Sequence, residues 1–192
     1  MTPDKARPNR APLMTLVLNP PQNPVEIGCP WTIRAETRAD GPEVDRLVSD
    51  AFGPGRYVKA VERLREGDVA ASSSSRVAAR PNSRGLAGCV RLWPLVVGDE
   101  EGLLLGPIAV DPAFRGQGLG AALVLAAVEA ARGAEGTFVV LVGDEPFFGP
   151  LGFSRHLAAN IALPGPVDPD RMMALRLSGP VGAPLAGVVR RA

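Results

Sequence analysis

The sequence predicts an α+β domain on a mixed sheet that is mostly antiparallel and carries one parallel strand pair. Three observations predict it. Apolar stretches broken by turn residues between positions 85 and 111 read as a β-meander. One long Ala/Leu/Val helix begins on Gly116, Gly118 and Gly120, and then comes "GTFVVLVG", residues 136–143, a nearly continuous apolar strand of the kind buried on both faces. A strand–helix–strand unit needs a crossover, and crossovers join parallel strands.

Bulk properties narrow the function. The 192 residues suit one ordinary domain plus some tail, and a 46% hydrophobic content is enough for a core. A formal charge of +1 with scattered basic residues argues against duplex nucleic acid or an acidic membrane as partner. No apolar run approaches 18 residues, so no membrane span is expected. Cys29 and Cys89 lie 60 residues apart without CxxC spacing, which points to a reduced, cytoplasmic chain with no metal site. The N-terminal apolar patch "MTLVL" is too short for a signal-peptide core.

Residues 1–30 hold seven of the 20 prolines and no periodic pattern, so they read as a poorly ordered extension. A single domain is expected over residues 31–192. It opens with "WTIRAET", where Trp31, Ile33 and Ala35 alternate as in a half-buried strand. "RADGPEVDRLVSDAF" reads as a helix burying Val44, Leu47, Val48 and Ala51, with Asp40 as cap and Pro42 in the first turn. Residues 55–67 form a second helical pattern that ends at Gly67. "DVAASSSSRVAAR" fits either a loop or an exposed edge strand. "GLAGCVRLWPLVVG" and "EGLLLGPIAVD" are strands joined at the turn "GDEEG". After the buried strand, "PFFGPLGF" is a short aromatic helix or turn, and "MMALRLS" is a last strand before a Pro/Gly-rich tail.

The long helix raises a chemical question. It begins in "FRGQGLGAALVL", with Gly116, Gly118 and Gly120 where Ser, Thr, Asp or Asn should cap it. A helix start leaves about four N–H groups without partners, and losing the cap costs about 0.5–2 kcal/mol. No acidic residue falls between Phe114 and Val128, and Arg115 adds positive charge at the already positive end. An external anion repairs that deficit, and glycine lets a bulky ligand approach the backbone. A P-loop is excluded because Gly120 is followed by Ala121-Ala122 rather than Lys-Ser/Thr. A dinucleotide fingerprint on Gly116, Gly118 and Ala121, with Asp144 as ribose ligand, lacks the repeated strand–helix alternation that should follow.

The spacing Arg115-x-x-Gly118-x-Gly120, the preceding "LLLGPIAVDP" and the following "PFFGPLGF" resemble the acyl-CoA signature of the GNAT superfamily of N-acetyltransferases. The resemblance covers roughly residues 31–178 and is greatest to bacterial acetyltransferases of unsettled substrate. It implies a GNAT fold with helices on both faces of the sheet and a parallel strand pair splayed to admit acyl-CoA. It also implies that backbone amides of Arg115, Gly116, Gln117, Gly118, Leu119 and Gly120 hold the diphosphate. Ile108, Ala109 and Val110 would pair their backbone with the pantetheine arm, and Phe148 would lie against the cofactor. The expected activity is transfer of an acetyl group from acetyl-CoA, or another acyl-CoA, to a primary amine by direct attack.

In many family members a tyrosine at the place of Phe148 protonates the departing thiolate. Tyr57, the chain's single tyrosine, lies far away in sequence. General acid catalysis contributes roughly 10²–10⁴-fold, so a slower enzyme or a non-catalytic acyl-CoA-binding module are both open. The candidate bases are Glu101, with its neighbour Glu100, and His156, while Asp144 fits either a site or a cap. The acceptor is a small-molecule or protein amine that the sequence does not specify, and a homodimer through the last strands stays open.

Overall fold

The structure, a computed structural model, describes residues 31–53, 73–80, 85–132, 136–163, 165, 167–180 and 182–192. The first half holds β1 (Thr32–Ala35), α1 (Gly41–Phe52), β2 (Arg76–Ala79), β3 (Leu86–Val97) and β4 (Glu100–Val110). Then come α2 (Leu119–Arg132), β5 (Phe138–Val142) and the one-turn helices α3 (Glu145–Phe148) and α4 (Arg155–Ala158). Three strands close the chain: β6 (Asn160–Ala162), β7 (Met172–Arg176) and β8 (Ala186–Arg191). The helix expected over 55–67 and the extension 1–30 lie outside the described residues.

Strand order is β1-β2-β3-β4-β5-β7, with β8 added to β3 and β6 to β8. Neighbours on the main path run antiparallel except β4 and β5, the pair that α2 joins. β6 and β8 form a second parallel contact that no local signal announces.

The sheet is covered on both faces, as β5 records in its own sequence. Val139 and Leu141 pack with Leu119, Leu123, Val124 and Ala127 of α2. Phe138 and Val140 pack on the other side with Leu157 and Ala158 of α4. That opposite side also carries α1, whose Val44, Leu47 and Val48 meet Val77, Cys89 and Ala109. Each Val, Leu or Phe among them contributes about 1.5–3 kcal/mol on burial. Gly88 admits α2 closely, since a Cβ there would stand 2.9 Å from Ala109 O and 3.0 Å from Leu123.

Several local expectations change in the fold. Of the described serines, Ser73 and Ser74 form a turn, as one of the two readings has it, and Ser75 leads into an interior strand rather than an edge: β2 pairs with both β1 and β3, and Ser75 Oγ accepts Leu92 N–H at 3.0 Å. The sheet edge is β1, which is why Ala35 is exposed while Trp31 and Ile33 are half-buried. Ala51 is exposed too, although it falls on the same helical face as Val44 and Val48. Asp40 does not cap α1 with its side chain. Its carboxylate instead accepts from Thr37 N at 2.8 Å and from Arg34 at 2.7 Å, closing the 3-10 turn Arg38–Asp40. The Pro/Gly-rich tail contains β8, whose Gly187 (φ 130°) lies tight against Gly98.

Candidate functional site

β4 contains the irregularity that builds the site. From Val97↔Glu100 to Leu92↔Leu105 its register with β3 is regular, and from Val90↔Ile108 onward it is regular again. Between those points β4 advances three residues while β3 advances two. The extra residue is a bulge at Gly106-Pro107, a cis peptide, opposite Arg91. Trp93 Nε1 donates to Gly106 O at 2.7 Å and holds it. A one-residue bulge reverses which side chains face which side. Leu103 and Leu105 face α2 before it, and Ile108 and Val110 do so after it.

β4 and β5 part at the same place. Their parallel pairing comprises Leu103↔Val139 and Leu104↔Val140 and stops there, while β5 stays paired with β7 as far as Val142↔Met172. Beyond Leu104 the β5-side edge of β4 is therefore open. Asp111 N donates to Ala87 O at 2.9 Å, so by the alternation of an antiparallel ladder Ala109 shares the bonded set with β3. Ile108 and Val110 turn their amide groups to the open edge. Of the three residues expected there, Ala109 instead commits its backbone to β3 and its side chain to the α1 core.

The glycine loop follows directly. Asp111 caps the 3-10 turn Pro112–Phe114 through Ala113 N at 2.9 Å, and residues 115–118 turn into α2. Gly116 and Gly118 take φ of 72° and 83°, and a Cβ on either would meet open space. α2 begins with Ala122 N donating to Gly118 O at 3.0 Å and has no acidic residue in its first turn. Among the described residues no side chain accepts from the N–H groups of Gly116 to Gly120. Arg115 Nε donates to Val110 O at 3.0 Å and Gln117 Nε2 to Ala113 O at 3.0 Å, so both side chains brace the loop. Leu119 is buried in the core and offers the loop its backbone alone.

The aromatic segment closes the third side. Phe148 is half-buried, edge-on to Phe153 at 5.9 Å and pressed over Gly143. Phe147 is 42% exposed, and it is the ring that approaches Gly120. Local sequence could not tell these adjacent phenylalanines apart.

The candidate bases fall in three places. Glu101 is exposed at the start of β4, nine residues and about 30 Å of strand from Val110. Glu100 is held by Arg176, whose hydrogen bond pulls its carboxyl below the usual range against partial burial, with Thr137 assisting. His156 follows Ser154, which bridges to Ala174 on the side of β7 away from β5. His156 itself lies in α4, whose Leu157 and Ala158 share a core with Leu104 and Val140, the last pair before β4 and β5 part. Asp144 is 73% exposed and paired with Arg171 at 3.3 Å, and its carbonyl accepts from Phe147 and Phe148. No cluster of three or more metal-ligating side chains occurs among the described residues, and none of their helices is long and apolar enough to cross a membrane.

Residues 42–148 match the acetyltransferase (GNAT) family model. The uncharacterized N-acetyltransferase YhbS of Escherichia coli K12 is 31% identical over 130 residues, 67% of this chain and 75% of that protein. The crystal structure of Escherichia coli YhbS in complex with CoA is similar with a TM-score of 0.68 at 27% identity, covering 84% of this chain and 89% of that one. A GNAT family acetyltransferase from Brucella melitensis in complex with acetyl-CoA gives a TM-score of 0.62 at 26% identity, covering 84% and 96%.

Proposed function

The chain belongs to the GNAT acetyltransferase family, and on that premise we propose that it moves an acetyl group from acetyl-CoA to a primary amine by direct attack. The observation that carries this reading is the parting of β4 from β5 beyond Leu104↔Val140, beside a helix start whose amides no described side chain caps. Similar chains in complex with CoA and acetyl-CoA support the same donor here.

The residues present fit that donor. The amides from Gly116 to Gly120 lie at a helix start, where a diphosphate finds donors, and the open space at Gly116 and Gly118 lets it reach the backbone. The Arg115 guanidinium adds positive charge at the same end. The outward N–H and C=O of Ile108 and the N–H of Val110, whose carbonyl already accepts from Arg115, offer the strand-like pairing that a pantetheine arm requires. A strand amide aimed at the thioester carbonyl stabilises the charge that develops on its oxygen. Phe147 and Phe148 shield the slot but carry no proton, so water protonates the departing thiolate. A thiol pKa of about 8.5 leaves the departing thiolate only about 1–2 pH units too basic near neutral pH, and its protonation there is downhill. Glu101 lies at the start of β4, nine residues before Val110, and in this reading no side chain is assigned as base, so the amine acceptor, small molecule or protein side chain, arrives neutral or loses its proton to solvent.

Thermal unfolding with acetyl-CoA, CoA, ATP and NAD side by side tests the donor. Ligand at about 100 times its dissociation constant adds roughly 2.7 kcal/mol, a rise of about 5–11 °C for a domain of this size. A rise confined to the CoA ligands, followed by turnover on an amine panel, supports the reading. A rise with NAD alone overturns it, and CoA binding without turnover on any amine leaves a binding module.

A further inference from the structure

Arg80, the residue after β2, ties the start of β3 to the end of β4. Its backbone N–H donates to Gly85 O at 2.9 Å and its Nε to Leu86 O at 3.1 Å. Its Nη2 donates to Asp111 Oδ2, and its guanidinium carbon stands 5.5 Å from the centroid of the Phe114 ring. The pair is largely sheltered, with side chains 32% and 17% exposed. A charge-assisted hydrogen bond there is worth more than one in open water.

What Asp111 does next gives the contact its reach. Its other oxygen caps the turn Pro112–Phe114, and that turn runs straight into Arg115. Gln117 returns to Ala113 O and Arg115 to Val110 O, so the loop is referenced to the two ends of the turn that Arg80 grips. Amides bind a diphosphate well only if they already converge, because ordering them on binding subtracts from affinity. The turn carrying them has two positive-φ glycines and little packing of its own.

We propose that Arg80 is a positioning residue for the diphosphate loop. It pre-orders residues 115–120 through Asp111 and Phe114 without touching the ligand itself. The proposal rests on the acyl-CoA reading above. Lysine cannot replace it fully, because an ammonium lacks the planar fork that reaches Leu86 O and Asp111 while standing over Phe114.

The test is affinity for CoA by calorimetry in R80M, R80K and R80M/D111N, with circular dichroism to establish folding. S-acetylpantetheine, which lacks the diphosphate, is titrated in parallel by NMR. In R80M the dissociation constant for CoA is expected to rise roughly tenfold, the scale of one charge-assisted hydrogen bond. R80K falls between R80M and wild type, and D111N adds little once Arg80 is gone. Affinity for S-acetylpantetheine stays within about twofold in every variant, a separation that general loosening of the domain would not produce. Unchanged CoA affinity in the variants, or equal losses for both ligands, overturns the role. If R80M fails to fold, R80K decides by the same two readouts. Wild-type protein that binds no CoA brings down the acyl-CoA reading itself, and Arg80's role with it.

Discussion

Phe147 Cζ lies 3.5 Å from the point where a Cβ on Gly120 would stand, so a ring on α3 leans over the first turn of α2. The same point is 3.9 Å from Val110 Cγ2. Strand, helix start and aromatic segment thus meet around one residue. The open edge of β4 and the bare amides of α2 belong to one slot because of this meeting.

The glycines of the loop should separate in their effects. Gly120 sits in helical conformation with ordinary van der Waals space around a Cβ, so G120A should stabilise the protein by about 0.5–1 kcal/mol and leave CoA affinity within about twofold. Gly118 has φ of 83°, where an L side chain costs roughly 1–2 kcal/mol. G118A should therefore lower the melting temperature and weaken CoA binding together. Melting curves with and without CoA check both, and equal behaviour of the two variants would refute the assigned geometry.

Phe148 offers a gain-of-function test. Its ring packs between Gly143 and Phe153, so F148Y keeps the packing and adds a hydroxyl. With an amine identified by the panel, kcat should rise about tenfold or more. The pH profile should gain a falling limb near the tyrosine pKa of about 10. An unchanged rate and profile would mean that position 148 does not face the leaving thiolate.

Stability at low pH should report on Asp40. Hydrogen bonds from Arg34 hold its carboxyl well below the usual carboxylate range, against partial burial and with help from Thr37. A depressed folded-state pKa stabilises above the ordinary value near 4 and is lost as pH falls below it. Arg34 is 42% exposed, so the contribution is only about 1 kcal/mol. D40N should melt a few degrees below wild type at pH 7, with the gap closing between pH 4 and 2. A gap independent of pH would exclude the ion pair as its cause.

Cys89 should be silent in the native protein. It is a free, fully buried thiol whose pKa burial pushes up to about 12, opposed mainly by the Ala109 backbone. Essentially no thiolate exists at pH 8, so alkylation must wait for opening. Pulsed labelling read by peptide mass spectrometry should modify Cys89 at the unfolding rate, and labelling as fast as a free thiol would show an open path to it. Cys29, the other cysteine, lies outside the described residues.

The sequence by itself determined the features that local chemistry encodes. Val44, Leu47 and Val48 recur at helical spacing and became the buried stripe of α1. "FVVLV" has no polar face and became the strand covered on both sides. The capless glycine start of α2 was visible because it breaks the rules for helix ends. Tertiary structure decided what depends on partners distant in the chain. The bulge opposite Arg91 fixes which amides of β4 face the slot, and only pairing with β3 reveals it. Glu100 is claimed by Arg176, 76 residues away, and β2 is interior because β1 returns to cover it. Periodicity encodes which face of an element is buried, but register, closure and ion-pair choice are settled when distant segments compete for the same edge or charge.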